Sequence, residues 1–224
     1  MDMYWGIKKD NKKDNKRKAS DLGDEYYKYS KPGKMPKMLC NTNKNIYTFG
    51  NEIHYTGSIN NDNIEEVIKQ TTKIINKNHK KYEDTDDKLE LVYIVDSLGG
   101  QVSSILKLVD FMGLVKQKYP YVTFTSILTG QCASAGTVFC IACDKRLMTK
   151  NAKSMVHQLS SGNSGKYTQL KSYTDHLTDL HNTLVNIYVE KCGKTKEEIE
   201  AILDRETWYN AEQYLAEGFI DAIV

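Results

Sequence analysis

The sequence predicts an α/β layered fold, and three observations lead to it. Short β-rich apolar runs alternate with stretches whose apolar residues recur at helical spacing, from about residue 46 to the end. No internal repeat breaks that alternation. The 224 residues suit one ordinary globular domain with a sizeable core plus an appendage.

The appendage is residues 1–45. It is polar and broken, running Lys8-Lys9-Asp10-Asn11-Lys12-Lys13-Asp14 and later Lys31-Pro32-Gly33-Lys34-Met35-Pro36. With few aliphatic residues it cannot offset the entropy of ordering and is expected to be largely disordered. Lys16-Arg17-Lys18 fits either a polyanion or import patch or, more simply, a solvated tail. A tail of this kind also suits a propeptide.

The predicted domain is residues 46–224. Ile46-Tyr47-Thr48-Phe49 and Glu52-Ile53-His54-Tyr55-Thr56 are short strands. Asn60-Asn61-Asp62-Asn63 caps a helix whose apolar positions are Ile64, Val67, Ile68, Ile74 and Ile75. A polar loop is expected from Asn76 to Lys88, then a strand over Leu89–Val95. After Asp96-Ser97-Leu98-Gly99-Gly100 comes a helix carrying Val102, Ile105, Leu106, Val109 and Met112. The run Val122–Leu128 is a strand ending at Thr129-Gly130. Lys145–Met148 and Ser154–His157 are short strands, and helices follow over about 167–190 and 196–204.

Charge is uneven. Residues 1–45 carry 12 Lys/Arg against 6 Asp/Glu, whereas residues 46–224 carry 19 against 23. A mildly acidic domain gives no nucleic-acid footprint. No apolar run approaches a membrane span, and no secretory apolar region is visible. Five cysteines, at 40, 132, 140, 143 and 192, are odd in number and mostly in apolar settings. Free thiols in a reducing, intracellular compartment are expected, with the cytoplasm the simplest placement. Cys140-Ile141-Ala142-Cys143 lacks a second ligand pair for zinc and lies inside an apolar helix, so no metal is expected there.

The chemistry centres on Gln131-Cys132-Ala133-Ser134-Ala135-Gly136-Thr137. A strand leads into small residues around one hydroxyl, and the apolar Val138–Ala142 stretch follows. Ser134 thus falls at a helix N-terminus, where free N–H groups favour a developing negative charge. Taken alone, a serine between alanines is an ordinary packing residue. Three further stretches change the weighing. The paired Gly99 and Gly100 allow backbone N–H groups to approach a ligand closely. His157 precedes the flexible Ser160-Ser161-Gly162-Asn163-Ser164-Gly165 and is placed to reach a cleft, whereas His54, His79, His176 and His181 are weaker candidates. Asp204-Arg205-Glu206 supplies carboxylates before Thr207-Trp208-Tyr209.

Together, Ser97-Leu98-Gly99-Gly100, Gly130–Gly136, Met155-Val156-His157-Gln158 and Glu217-Gly218-Phe219-Ile220-Asp221 resemble, in order and spacing, the proteolytic subunits of the Clp protease family. The resemblance runs from about Ile53 to Val224 and leaves the head unmatched. It implies a ClpP/crotonase-like layered fold of repeated β-β-α units with a protruding handle helix. It further implies Ser134 as nucleophile, His157 as general base, and Gly100 and Ala135 as oxyanion donors. The family's third member is an aspartate. Here the register falls on Glu206, with Asp204 as the alternative, and glutamate serves in related triads. Leu98 and Leu159 stand where the family has proline. A substrate peptide is expected to run along Gly100, Val102, Ser160 and Gly162 as an added strand. Cys132 is a rival nucleophile, disfavoured by the register.

The resemblance also implies a homo-oligomeric ring, stacked as a double heptamer, with the 167–190 helix and its Tyr173, Leu177, Leu180, Leu184 and Ile187 joining the rings. A separate AAA+ unfoldase would use ATP, since this chain has no phosphate-binding loop and no cofactor of its own. Fold and function are separable. The leading expectation is an ATP-dependent Clp-type serine endopeptidase. The alternatives are an inactive ring subunit and a crotonase-like acyl-CoA enzyme.

Overall fold

The computed structural model describes residues 45–224. The expectations for the head, including the Lys16-Arg17-Lys18 patch and Cys40, lie outside the described residues.

Strands β1 (Ile46–Phe49) and β2 (Glu52–Thr56) form an antiparallel hairpin, and helix α1 (Asn61–Tyr82) follows. The Asn60 side chain accepts the Asn63 N–H at 2.9 Å, closing the helix start as the sequence anticipates. Ile64, Val67, Ile74 and Ile75 form its buried face. The helix does not give way to a loop at Asn76. Its polar final turns hold because His79 Nδ1 lies 2.8 Å from the Tyr121 hydroxyl and the Tyr82 ring stacks on Tyr121. Those contacts come from a segment about forty residues away, which helical periodicity does not report.

Strand β3 (Leu89–Ser97) pairs in parallel with β2 and with β4 (Val122–Ala133), and helix α2 (Val102–Lys118) crosses between them. β4 does not end at Thr129-Gly130. Thr125–Leu128 pair with β5 (Lys145–Met148), and Gln131–Ala133 then pair with β6 (Lys153–Val156). The strand thus exchanges one neighbour for another across an irregular step, and the Asp96 carboxylate accepts the Gln131 N–H at 3.1 Å beside it. A Thr-Gly pair that reads locally as a terminus is a kink in a longer strand.

Helix α3 (Ala135–Ile141) is buried along its whole length, and so is hydrophobic all round. At seven residues it cannot stand alone, and burial stabilises it. Phe139 meets the rings of Tyr55 and Tyr93 edge-on at 5.5 and 5.1 Å. Tyr93 satisfies its buried hydroxyl on Thr71 Oγ1 at 2.9 Å.

Helix α4 (Tyr167–Cys192) projects its first half into solvent and packs its second half through Leu184, Val185 and Tyr188. Helix α5 (Lys196–Leu203), strand β7 (Thr207–Asn210), helix α6 (Ala211–Ala216) and strand β8 (Ala222–Ile223) complete the chain. The sheet runs β1-β2-β3-β4-β5-β8, with β6 beside β4 and β7 antiparallel to β6. This is a mixed α/β fold of eight strands and six helices among the described residues. The β-β-α order occurs at β1-β2-α1 and again at β5-β6-α4, the latter ending in the handle. No helix among the described residues is long and apolar enough to cross a membrane.

Candidate active site

Ser134 is the hinge residue between β4 and α3. Its backbone sits at φ 56°, ψ −130°, a conformation that costs about 1–3 kcal/mol for a non-glycine residue and persists only where the surroundings hold it. They do so from both sides. Its N–H donates to the Met155 carbonyl of β6 at 2.9 Å. Its carbonyl accepts the Thr137 N–H at 2.9 Å and the Thr137 hydroxyl at 2.6 Å. Such a sharp strand-to-helix turn projects the serine side chain outward.

The two glycines of the β3–α2 turn do different work. A Cβ on Gly99 would fall 2.6 Å from Ser134 Cβ and 2.7 Å from the Ala133 carbonyl oxygen, so only glycine lets this turn seat against the serine. Gly100 abuts Ile59 in an isolated parallel bridge. In that bridge Ile59 donates to the Gly99 carbonyl and Gln101 donates to the Ile59 carbonyl, each at 2.9 Å. The Gly100 N–H stays out of this ladder.

His157 follows β6 directly. The next residue donates its N–H to the Leu203 carbonyl at 2.9 Å, which ties the histidine segment to the end of α5. That tie brings the segment after α5 alongside the imidazole, with His157 Nδ1 3.9 Å from Glu206 Oε1. The imidazole is 18% exposed and the carboxylate 70%. Glu206 has a left-handed backbone, φ 47°. Asp204, the other candidate acid, caps α5 and is exposed, and the ion contact to His157 runs through Glu206.

A cleft of about 220 Å³ gathers Ser134, Ala135, Gly100 and His157 with Val102 and Ser160. Gly162 does not line it and stands in the exposed loop. Cys132 is also outside it, fully buried with Sγ 3.7 Å from Cys140 Sγ. The apolar walls come from Leu159, which the sequence marks by its departure from the family's proline, and from Ile105, Val138, Leu184, Tyr188 and Leu203, which the sequence does not single out for this role. Their only local signal is helical spacing, such as Leu184 and Tyr188 four apart on α4, which marks a shared face and not the cavity it meets. His181, set aside on the sequence, lines the cleft too. Burial raises the Tyr188 phenol above its ordinary pKa, against a smaller opposing effect of its hydrogen bond to Thr137, so it is a protonated donor at neutral pH. No cluster of three metal-ligating side chains occurs among the described residues.

The arrangement places Ser134, His157, Gly100 and Ala135 around one apolar cleft, with the Glu206 carboxylate outside it on the Nδ1 side of the imidazole. Comparison with known proteins points the same way. The family model for Clp protease matches residues 46–224. An ATP-dependent Clp protease proteolytic subunit from Streptococcus gordonii is 36% identical over 146 residues, which is 63% of this chain and 72% of that protein. One of the same description from Streptococcus pneumoniae is 35% identical over the same shares. With the family model spanning the whole described domain, the chain belongs to the Clp protease family.

Proposed function

We propose that this protein is a Clp-type serine endopeptidase that cleaves unfolded polypeptides or peptides through an acyl-enzyme. The observation that carries the reading is the shared cleft of Ser134, His157, Gly100 and Ala135, with Glu206 behind the histidine. Because Nδ1 of His157 faces Glu206, Nε2 is the nitrogen available to Ser134. Nε2 accepts the Ser134 hydroxyl proton as Oγ attacks the scissile carbonyl. The tetrahedral oxyanion takes hydrogen bonds from the Gly100 and Ala135 N–H groups, each worth about 3 kcal/mol in such sites. His157 then delivers the proton to the departing amine, and water resolves the ester by the same route. The apolar walls suit an apolar side chain next to the cleaved bond. The extended substrate adds as a strand along Gly100, Val102 and Ser160.

Assembly belongs to the same proposal. Leu184 and Ile187 pack into this subunit's own core, whereas Tyr173, Leu177 and Leu180 lie further along the projecting half of α4. That half supports ring-to-ring docking, with a homo-oligomeric ring enclosing the sites. A separate ATP-driven unfoldase would feed the chamber, and no cofactor is assigned to this chain. Family membership favours the peptidase over an acyl-CoA enzyme. The exposed Glu206, beyond hydrogen-bond length from His157, is the one observation that favours an inactive ring subunit.

The test is labelling with a fluorophosphonate, read by intact mass alongside assembly size. One adduct on the wild-type ring, absent from Ser134→Ala, is expected. An assembled ring that takes no adduct would establish the inactive scaffold instead.

A further inference from the structure

We propose that Tyr188 and Thr137 are positioning residues that hold the Ala135 oxyanion donor in place from helix α4. The inference rests on the peptidase reading above and gives a role to two side chains, Thr137 and Tyr188, to which the sequence assigns none.

The Tyr188 hydroxyl and Thr137 Oγ1 are 2.6 Å apart, and Thr137 Oγ1 is 2.6 Å from the Ser134 carbonyl oxygen. A carbonyl oxygen can only accept, so the single Thr137 proton goes to Ser134. Tyr188 must then be the donor to Thr137. The chain of donation is directional: Tyr188 O–H to Thr137 Oγ1, and Thr137 O–H to Ser134 C=O. Both side chains are nearly or fully excluded from water, at 4% and 0% exposure. Neither bond is exchanged cheaply for a bond to solvent.

The end of that chain matters because of peptide planarity. The Ser134 carbonyl and the Ala135 N–H belong to one rigid trans unit and point in opposite directions. Whatever fixes the carbonyl fixes the N–H. The Thr137 hydroxyl adds a second donor to a carbonyl that already accepts the Thr137 N–H. Two bonds therefore aim the Ala135 N–H across the cleft, and successive hydrogen bonds polarise the same amide as a donor. The Ser134 backbone is strained, so this peptide has an incentive to rotate if the carbonyl is released.

The consequence is specific to the transition state. Substrate binding uses the apolar walls and the added strand, whereas the Ala135 N–H acts most on the charge that develops later. Tyr188→Phe and Thr137→Val remove hydroxyls with little change of shape. Each should lower kcat about tenfold with KM held within about twofold, because the donor is misaimed rather than deleted. Thr137→Ser keeps the hydroxyl and should restore most of the rate. The double variant should lose no more than either single one, since both cut the same chain.

The experiment measures kcat and KM on a fluorogenic peptide for these four variants and wild type, with inhibition by a peptide aldehyde and assembly size. Aldehyde affinity falling in step with kcat/KM, with rescue by Thr137→Ser, is the expected result. The proposal is overturned if Tyr188→Phe and Thr137→Val turn over at the wild-type rate. It is also overturned if their losses add, or appear in KM alone. A wild-type ring that neither turns over nor labels at Ser134 would overturn the peptidase reading itself, and is distinguishable because no variant comparison is then needed.

Discussion

His157 and Glu206 face each other at 3.9 Å, Nδ1 to Oε1, beyond hydrogen-bond length but within reach of charge attraction. The partners differ sharply in exposure, 18% against 70%, so water and salt screen the carboxylate. An acid held this way steadies an imidazolium without bonding the imidazole into one tautomer. Glu206→Gln is therefore expected to lower kcat about 10- to 100-fold, less than the ~10⁴-fold loss of a fully bonded triad acid. The difference from wild type should shrink in 1 M salt. A loss of ~10⁴-fold that salt does not alter would mean that substrate draws Glu206 into a full hydrogen bond.

Gly99→Ala should damage activity more than fold. The added methyl would meet Ser134 Cβ, the Ala133 carbonyl and the Ala135 nitrogen, all within 3 Å, at φ +93°. Two of the three are backbone, so the serine turn itself must shift. A stability loss of about 1–3 kcal/mol is expected by urea unfolding, with fluorophosphonate labelling reduced at least tenfold in the folded protein. Normal labelling of Gly99→Ala would show that the turn accommodates the methyl.

Arg146 and Asp221 predict an acid-dependent stability. The Asp221 carboxylate accepts the Arg146 backbone N–H at 2.7 Å and Nε at 3.2 Å, and pairs with Nη2 as well. Nη1 reaches the carbonyls of Lys191 and Gly218, so the pair joins β5 to the end of α4 and the turn before β8. Burial alone would raise the Asp221 pKa, but the Arg146 bonds and charge outweigh it and the net shift is downward. A depressed folded pKa gives stability that is full above the unfolded value near 4 and fades as pH falls through the folded one. Asp221→Asn should be less stable than wild type by a constant margin between pH 7 and pH 5, and the margin should narrow below about pH 4. Urea unfolding at several pH values reads this directly, and a margin that widens in acid contradicts it.

The buried thiols of Cys140 and Cys143 and the half-buried thiol of Cys192 should be unreactive in the folded protein. Burial pushes Cys143 up to about 12 and Cys192 up to about 11, and raises Cys140 well above its ordinary value. Thiolate is the reactive species, so iodoacetamide at pH 7.5 should leave these three unmodified until denaturant is added. Cys132→Ser should keep peptidase activity, since this fully buried side chain does not line the cleft. Peptide mapping of the alkylated protein checks the first expectation and turnover checks the second.

From residue 46 to about residue 204 the sequence by itself determined which stretches are strand and which are helix, because period and capping are local properties, whereas β7, α6 and β8 are too short to carry a period. The Asn60 cap, the apolar α3 and the Ser134 turn are all legible in a few residues. It also singled out Ser134, His157 and the paired glycines, whose residue types and order carry the resemblance to the Clp family. Two ends were misread for one reason. The last turns of α1 and the Thr129-Gly130-Gln131 step of β4 are polar or exposed, and partners distant in sequence hold the chain across them. The register already put Glu206 ahead of Asp204, and tertiary structure supplied the approach itself, the Gln158–Leu203 bond drawing the segment after α5 to His157. It also built the apolar walls and joined Tyr188 to Thr137 across 51 residues. Spacing along a chain encodes which face a residue occupies, whereas only folding decides what that face meets.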